Sequence, residues 1–221
     1  MESADVIILG GGLVGLTLAI ALDRHGLSSI VIDPADPEKT LSPTYDGRAT
    51  AVASASWRML EAIGVGDRLE GEGCPIGKIR VSDGLEPGGI LFDPPEGDEP
   101  LGRMFENRKL RAALRACALA GENINLLMPA RPAEIVRDGA GVRVALEDSR
   151  VVTAPLLIGA EGRNSPSRQA AQIPVAQWRY DHAAIIATVT HERSHGNTAY
   201  EIFYPAGPFA ILPMLADESG R

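Results

Sequence analysis

The stretch that decides the fold is DVIILGGGLVGLTLAIALDRHGLSSIVIDP, residues 5–34. Its apolar residues first run without a break and then, after three consecutive glycines, recur at helical spacing. We therefore predict a strand over 5–9, a helix over about 13–25 that ends near Gly26, and a second strand that ends at Asp33. This βαβ order is the beginning of a Rossmann-like α/β fold with a parallel sheet.

The turn between the strand and the helix carries the G-x-G-x-x-G pattern at Gly10, Gly12 and Gly15. The first glycine permits a tight turn, the second lets the backbone approach a pyrophosphate, and the third lets helix and strand pack closely. Asp33 stands where a carboxylate accepts hydrogen bonds from ribose hydroxyl groups. These residues predict a dinucleotide site, with a purely structural turn as the alternative, and they do not separate NAD from FAD.

Composition narrows the classes of function. The chain has 221 residues, of which 45% are hydrophobic, enough for a folded core. Its formal charge of −8 gives no basic footprint for nucleic acid, so we expect no such partner. The apolar stretch after the glycines is too short to span a bilayer, and Glu2 and Asp5 stand where a secretory signal carries positive charge. We expect a cytoplasmic protein.

The cysteines and histidines give no sign of a reactive centre. Cys74 and Cys117 are too few for a disulfide framework, and we interpret both as reduced packing residues. His191 and His195 are four residues apart but straddle the end of a predicted strand, where that spacing does not align two side chains. We predict no metal site and no catalytic side chain.

The pattern further along the chain predicts two domains, the first of them discontinuous. We assign 1–72 and 103–172 to a nucleotide-binding domain, and 73–102 and 173–221 to an inserted, sheet-rich substrate domain. Predicted helices cover 48–65, 107–121 and 165–171. Predicted strands cover 76–83, 89–93, 124–128, 133–138, 141–148, 154–162, 183–193, 197–205 and 209–215, of which the third to fifth form a small antiparallel sheet. The last residues read as a strand and a polar turn, so we expect a chain that is truncated within its fold.

Four stretches together resemble the para-hydroxybenzoate-hydroxylase-like flavoprotein monooxygenases. They are ILGGGLVG at 8–15, TYDGRATAVASASWRMLEAIGVGDRL at 44–69, LLIGAEGRNSPSRQA at 156–170 and AYEIFYPAGPFAILPM at 199–214. Within that family the chain is most similar to the ubiquinone-biosynthesis hydroxylases that act on polyprenylated phenols. The resemblance spans nearly the whole chain and implies that the nucleotide is FAD, with Gly10, Gly12, Gly15 and Asp33 binding its ADP half.

The same resemblance implies further cofactor contacts after the second strand. Arg48 matches the arginine that lies over the phosphates of the flavin cofactor, and Asp46 holds its loop; the alternative for 46–48 is a solvated turn. Asn107 matches the polar residue that touches the ribityl chain, and Arg108 is its charged neighbour. The alternative for this pair is a helix N-terminus with exposed basic residues.

A second motif of the family, which serves both FAD and a pyridine nucleotide, matches Glu161, Gly162, Ser165 and Arg168. The family has Asp where this chain has Glu161, one methylene longer. Arg168 is a candidate for a nicotinamide-nucleotide phosphate, or else decorates a short helix.

The function implied by the resemblance is hydroxylation of the aromatic ring of a polyprenylated phenol in ubiquinone biosynthesis through a flavin C4a-hydroperoxide. Electrons come from NAD(P)H or from a protein donor. Alternatives are a soluble-phenol hydroxylase, a polyprenyl reductase, or a non-enzymatic binding protein with the same fold. Family members continue beyond the last strand through another flavin motif, so we expect this chain to be inactive alone and to expose apolar surface over 183–215.

That surface has consequences for partners. Its aromatic residues, Tyr200, Phe203, Tyr204 and Phe209, form the candidate wall of the substrate pocket, with ordinary sheet packing as the alternative. We expect a homo-oligomer, and either a multiprotein ubiquinone-biosynthesis complex or a peripheral position at the inner face of the membrane.

Overall fold

The glycine-rich turn joins a strand to a helix, as the sequence predicts, in a computed structural model that describes residues 2–42 and 47–216. The chain divides into two units. Unit 1 comprises the described residues of Met1–Asp46 together with Leu110–Ala183, and unit 2 comprises Gly47–Lys109 and the described residues of Ala184–Arg221. Residues 47–72 and 103–109, which the sequence analysis assigns to the nucleotide domain, lie in unit 2; the functional division stays a prediction.

The described residues contain short strands and five α-helices. The strands are β1 Glu2–Ser3, β2 Val6–Leu9, β3 Ser29–Ile32, β4 Ala49–Ala53, β5 Cys74–Ile76, β6 Lys78–Asp83, β7 Ile90–Phe92, β8 Gly102–Glu106, β9 Ile124–Leu127, β10 Pro132–Asp138, β11 Gly141–Leu146, β12 Val151–Ala154, β13 Leu156–Gly159, β14 Thr198–Tyr204 and β15 Gly207–Ile211. The helices are α1 Leu13–Arg24, α2 Pro37–Thr40, α3 Ser54–Ala62, α4 Asn107–Ala120 and α5 Pro166–Ala170.

Unit 1 is built on a parallel sheet with strand order β13-β2-β3-β9. All four residues of β2 and all four of β3 are buried, which explains why β2 is entirely apolar and why β3 is apolar after Ser29. A second sheet, of order β1-β12-β11-β10, contributes to the same core. Its antiparallel hairpin β10–β11 turns at 138–141, as predicted.

Unit 2 contains two sheets, of order β15-β14-β6-β7 and β4-β8-β5. The ring of Trp57 in α3 stacks on Phe105 of β8, with ring centroids 5.5 Å apart. Residues from both sheets meet in a small cluster formed by Cys74, Ile76, Met104 and Ala199.

Three predicted elements are wrong in part. Residues 49–53, predicted as helix, form β4, because they pair with β8 in an antiparallel register. Residues 124–127 join the parallel sheet beside β3 instead of the antiparallel one. Residues 183–193, predicted as a strand, are irregular. Alternating apolar residues form a strand only where a neighbour satisfies their backbone groups, and no described strand pairs with this segment.

The expected apolar exposure over 183–215 is confirmed. Ile185 is 93% exposed, and large apolar side chains of the irregular segment and of β14–β15 accompany it. These include Ile186, Val189, Phe203, Phe209 and Ile211. Among the described residues, no helix is long and apolar enough to cross a membrane.

Candidate functional site

Gly10 and Gly15 are required by close packing at the turn. A Cβ added to Gly15 would overlap the carbonyl oxygen of Gly10, and Gly10 itself adopts φ +106° with the carbonyl of Ala160 against it. The Ala160 N–H donates to the Leu9 carbonyl at 2.7 Å, so the loop after β13 lies directly on the turn after β2. Two of the three motif glycines therefore have a structural reason that holds whether or not a nucleotide is bound.

Close packing does not explain the glycine at position 12. Beyond its two chain neighbours, a Cβ added there would have no atom of the described residues within 4 Å. Gly12 is the N-cap of α1 and provides no side chain for capping, and Val14, in the first turn, is 72% exposed. The first N–H groups of a helix have no acceptor within the helix, and together with the helix dipole they favour an anion. The turn thus leaves an open cradle of the kind that a pyrophosphate fills.

Asp33 follows β3 and is bound to the turn. Its Oδ2 accepts a hydrogen bond from the Gly11 N–H at 2.6 Å, and its Oδ1 accepts one from the Ala35 N–H at 2.7 Å. Each carboxylate oxygen has a second lone pair, so the half-buried side chain can still accept from hydroxyl groups. The structure therefore brings Asp33 and the glycine turn together, as predicted.

Glu161 is bound to the start of α5. Its Oε2 accepts hydrogen bonds from the Ser165 hydroxyl at 2.6 Å and from the Ser167 N–H at 3.0 Å, and also from the Ser167 hydroxyl. Ser165 in turn caps α5 by accepting from the Arg168 N–H at 3.2 Å. Glu161 therefore binds the first turn of α5 through Oε2, and its contact with the cofactor stays a prediction.

Gly162 and Arg168 complete the second motif. Gly162 adopts φ +77° and faces open space, so its backbone requires glycine but its Cβ position is not crowded. The Arg168 guanidinium donates through Nη2 to the Arg163 carbonyl at 2.9 Å. Its Nε is buried and has no hydrogen-bond partner among the described residues, which leaves a cationic donor in need of an acceptor.

In unit 2 the structure brings Arg48 and Asn107 together. The Asn107 N–H donates to the Arg48 carbonyl at 3.0 Å, where β4 and β8 end side by side. The Asn107 side chain, only 7% exposed, accepts at Oδ1 a hydrogen bond from the Thr50 hydroxyl at 2.5 Å. Arg48 itself is exposed, and Asp46, predicted to hold its loop, lies outside the described residues.

Arg108 pairs with a neighbour on the surface. Its Nη2 lies 3.1 Å from Glu106 Oε2, and both side chains are about two-fifths exposed. A pair this exposed contributes little to stability. His191 and His195 contact each other edge to face, with ring centroids 6.3 Å apart, and the described residues contain no metal-binding group of three or more His, Cys, Asp or Glu side chains.

Sequence reasoning missed two residues of these arrangements. Thr50 lies in a segment that the sequence pattern predicts as a helix, so its hydrogen bond to Asn107 could not be predicted. Ser167 lies in the first turn of α5, two residues after Ser165. The proline between the two serines is typical of the first position of a helix, and it could have indicated that Ser167 lies in the first turn.

The model of the FAD binding domain family matches residues 3–216. The chain belongs to this family. The cofactor predicted from the sequence, FAD, is therefore confirmed at the level of the family.

Two relatives of this FAD binding domain are named as hydroxylases of ubiquinone or of a demethoxyubiquinol. The chain is 48% identical to the ubiquinone hydroxylase UbiL of Rhodospirillum rubrum, over 98% of the chain and 50% of that protein. It is 32% identical to the 3-demethoxyubiquinol 3-hydroxylase of Escherichia coli, over 97% of the chain and 55% of that protein. The chain spans about half the length of these relatives.

Solved structures show the same fold for this FAD binding domain. PqsL of Pseudomonas aeruginosa, in complex with 2-aminobenzoylacetate, is similar with a TM-score of 0.68 at 24% identity, over 81% of this chain and 48% of that one. The flavin-dependent monooxygenase PieE, in complex with FAD and substrate, is similar with a TM-score of 0.62 at 20% identity, over 78% of this chain and 32% of that one. The predicted fold class is confirmed.

Proposed function

We propose that the chain forms the cofactor-binding part of a FAD-dependent monooxygenase that hydroxylates the aromatic ring of a polyprenylated phenol in ubiquinone biosynthesis. The observation that carries the proposal is the 48% identity to a ubiquinone hydroxylase over nearly the entire chain. The geometry of unit 1 supports it, because an intact glycine cradle and a correctly placed Asp33 are what a retained dinucleotide needs.

The residues of unit 1 fit the ADP half of FAD. The space at Gly12 and the start of α1 suit the pyrophosphate, and Asp33 retains lone pairs for ribose hydroxyl groups. In unit 2 we assign Arg48 to the cofactor's phosphates, for which a guanidinium fork is suited, and Asn107 to its ribityl chain. Bound FAD supplies oxidation chemistry with molecular oxygen, whereas the side chains of the protein bind, orient and exclude water.

We assign different roles to Glu161 and Arg168 of the second motif: Glu161 binds the protein and Arg168 binds a ligand. Glu161 acts on the protein itself, since it holds α5 through Ser165 and Ser167. Arg168, with its unsatisfied Nε, is the residue that we assign to a phosphate of NAD(P)H as electron donor. Gly162 contributes the left-handed backbone of the loop between them.

The apolar surface of unit 2 supports an apolar substrate. Phe203, Tyr204 and Phe209 are exposed on β14 and β15, and Tyr200 lies half-buried on the same hairpin. A prenylated phenol has both an aromatic ring and an apolar tail to bury on such a surface. We further propose a cytoplasmic protein that is peripheral at the inner face of the membrane, and a homo-oligomer or multiprotein complex that covers the segment around Ile185.

The test is product analysis with the full-length protein. Bound nucleotide is first extracted under gentle conditions and identified by chromatography, and FAD is expected. The holoenzyme is then incubated with a prenylated phenol, NAD(P)H and oxygen, and mass spectrometry is expected to find one added oxygen atom on the ring. The same phenol without its prenyl tail is the control. Absence of FAD refutes the cofactor assignment, and conversion of only the tailless phenol refutes the substrate class.

A further inference from the structure

Asn107 is held by hydrogen bonds to Arg48 and Thr50, at the start of β4. Its backbone N–H is held by the Arg48 carbonyl at 3.0 Å, and its side-chain oxygen is held by the Thr50 hydroxyl at 2.5 Å. Both anchors belong to the β4 side of the β4–β8 pair. A nearly buried amide requires such partners, because an unsatisfied polar group in this position is costly.

The backbone hydrogen bond and the side-chain hydrogen bond determine different features of Asn107. The backbone bond fixes where Asn107 lies but does not by itself set the orientation of the terminal amide, since the last torsion of Asn is broad. A half-turn of that amide exchanges an acceptor for two donors. Because Thr50 Oγ1 donates to Oδ1, the Thr50 hydroxyl selects the orientation in which the amide oxygen faces β4 and the NH₂ group points away from it.

The frame around this bond is rigid. Thr50 lies directly opposite Phe105 in the strand register. Phe105 in turn precedes Asn107 by two residues. Phe105 is fully buried, 0% exposed, and its ring stacks on Trp57. The distance between Thr50 and Asn107 is thus set by strand pairing and core packing, and a group held in this way is preorganised for a ligand.

We propose that Thr50 is a positioning residue that fixes the amide of Asn107 for binding the flavin cofactor. The inference rests on the proposed function, in which Asn107 contacts FAD. Thr50 itself does not touch the cofactor, and its effect on binding passes through Asn107 alone.

The test is a double-mutant cycle on the full-length protein, with the FAD dissociation constant measured by flavin fluorescence and the thermal unfolding of the apoprotein measured beside it. Thr50→Val removes the hydroxyl with little change of shape, and Thr50→Ser restores it. Thr50→Val is expected to weaken FAD binding about threefold to tenfold, the equivalent of one neutral hydrogen bond, while Thr50→Ser stays near wild type. In an Asn107→Ala background, Thr50→Val is expected to cause no further loss.

Each other result is decisive. Equal FAD affinity of wild type and Thr50→Val overturns the inference and leaves the proposed function standing. A loss of the same size with and without Asn107 also overturns it, because Thr50 then acts by another route. A wild-type protein that binds no FAD overturns the proposed function and this inference together. If Thr50→Val does not fold, Thr50→Ala, which adds no bulk, replaces it with the same expectation.

Discussion

The carbonyl oxygen of Gly10 occupies the space that a Cβ on Gly15 would need. The contact lets α1 start immediately beside the end of β2, and it makes Gly15 a packing residue first and a motif residue second. Gly12, three residues earlier, lies in open space. The same substitution should therefore affect stability at Gly15 and cofactor binding at Gly12.

Gly15→Ala is expected to lower the free energy of unfolding of the apoprotein by about 1–3 kcal/mol or more, because the added methyl group forces backbone atoms apart. Denaturant unfolding of the full-length protein followed by circular dichroism measures the loss. An apoprotein with wild-type stability would show that the turn can relax around a methyl group.

Gly12→Ala is the matched control for stability and the sharper test for binding. Apart from its chain neighbours, the added methyl group meets no atom within 4 Å in the part of the chain that the structure describes, so apoprotein stability should change by less than about 0.5 kcal/mol. FAD affinity should fall strongly, since the methyl group fills the cradle at the start of α1. Unchanged FAD affinity in a fluorescence titration would mean that the pyrophosphate lies elsewhere.

Asp33→Asn is expected to affect both stability and binding. Both carboxylate oxygens accept backbone N–H groups, and an amide can offer only one oxygen, so its NH₂ group faces a donor. The loss should be about 1–3 kcal/mol in unfolding free energy, accompanied by weaker FAD binding. Asp36→Asn is the control, because one oxygen of the Asp36 side chain accepts the Glu38 N–H at the start of the short α2, and its other oxygen pairs with the exposed Lys39. Equal effects of the two substitutions would contradict the special role of Asp33.

Glu161→Asp should loosen α5. The shorter side chain cannot span the distance to Ser165 and Ser167, so the hydrogen bonds to Oε2 are lost, at a cost of about 1.5–3 kcal/mol for a charged acceptor. Amide hydrogen exchange over 165–171 is expected to accelerate while exchange in β2 and β3 stays unchanged. The same substitution at the exposed Glu147 should alter neither region. Wild-type exchange in α5 would show that Glu161 does not hold the helix.

Cys74 should resist alkylation in the folded protein. Burial raises the pKa of the Cys74 thiol, and the side chain is only 2% exposed. A raised pKa means a smaller thiolate fraction at pH 8 than an exposed cysteine has, and the thiolate is the reactive form. Peptide mass spectrometry after iodoacetamide treatment should find Cys74 modified only after unfolding. Modification at the rate of free cysteine would contradict this.

The start of the fold could be predicted from sequence because its signals are local. The apolar runs of β2 and β3 and the helical spacing of α1 are each decided by residues within one element. Residues 49–53 carry conflicting signals, since alanine favours a helix whereas Thr50 and Val52 favour a strand. Their state is decided by pairing with β8, far along the chain, which a local pattern does not contain.

In the candidate site, too, only the residues that belong to a local sequence pattern could be predicted. The glycines and Asp33 carry a pattern whose mechanism is known, so their proximity could be predicted. The role of Glu161 as a brace for α5 could not, because it depends on which way a flexible side chain turns. The hydrogen bond between Thr50 and Asn107 could not be predicted either, because only the strand register places these two residues side by side.

The order of strands in unit 1 has a consequence for biosynthesis. β2 lies between β3, which follows it closely in the chain, and β13, which is translated only after all of 47–109 and four further strands. Until β13 has left the ribosome, one edge of the fully apolar β2 has no partner and is open to incorrect pairing. The contact of Gly10 with Ala160 forms at the same late moment. A nascent chain should therefore acquire its nucleotide-binding turn long after that turn has been synthesised.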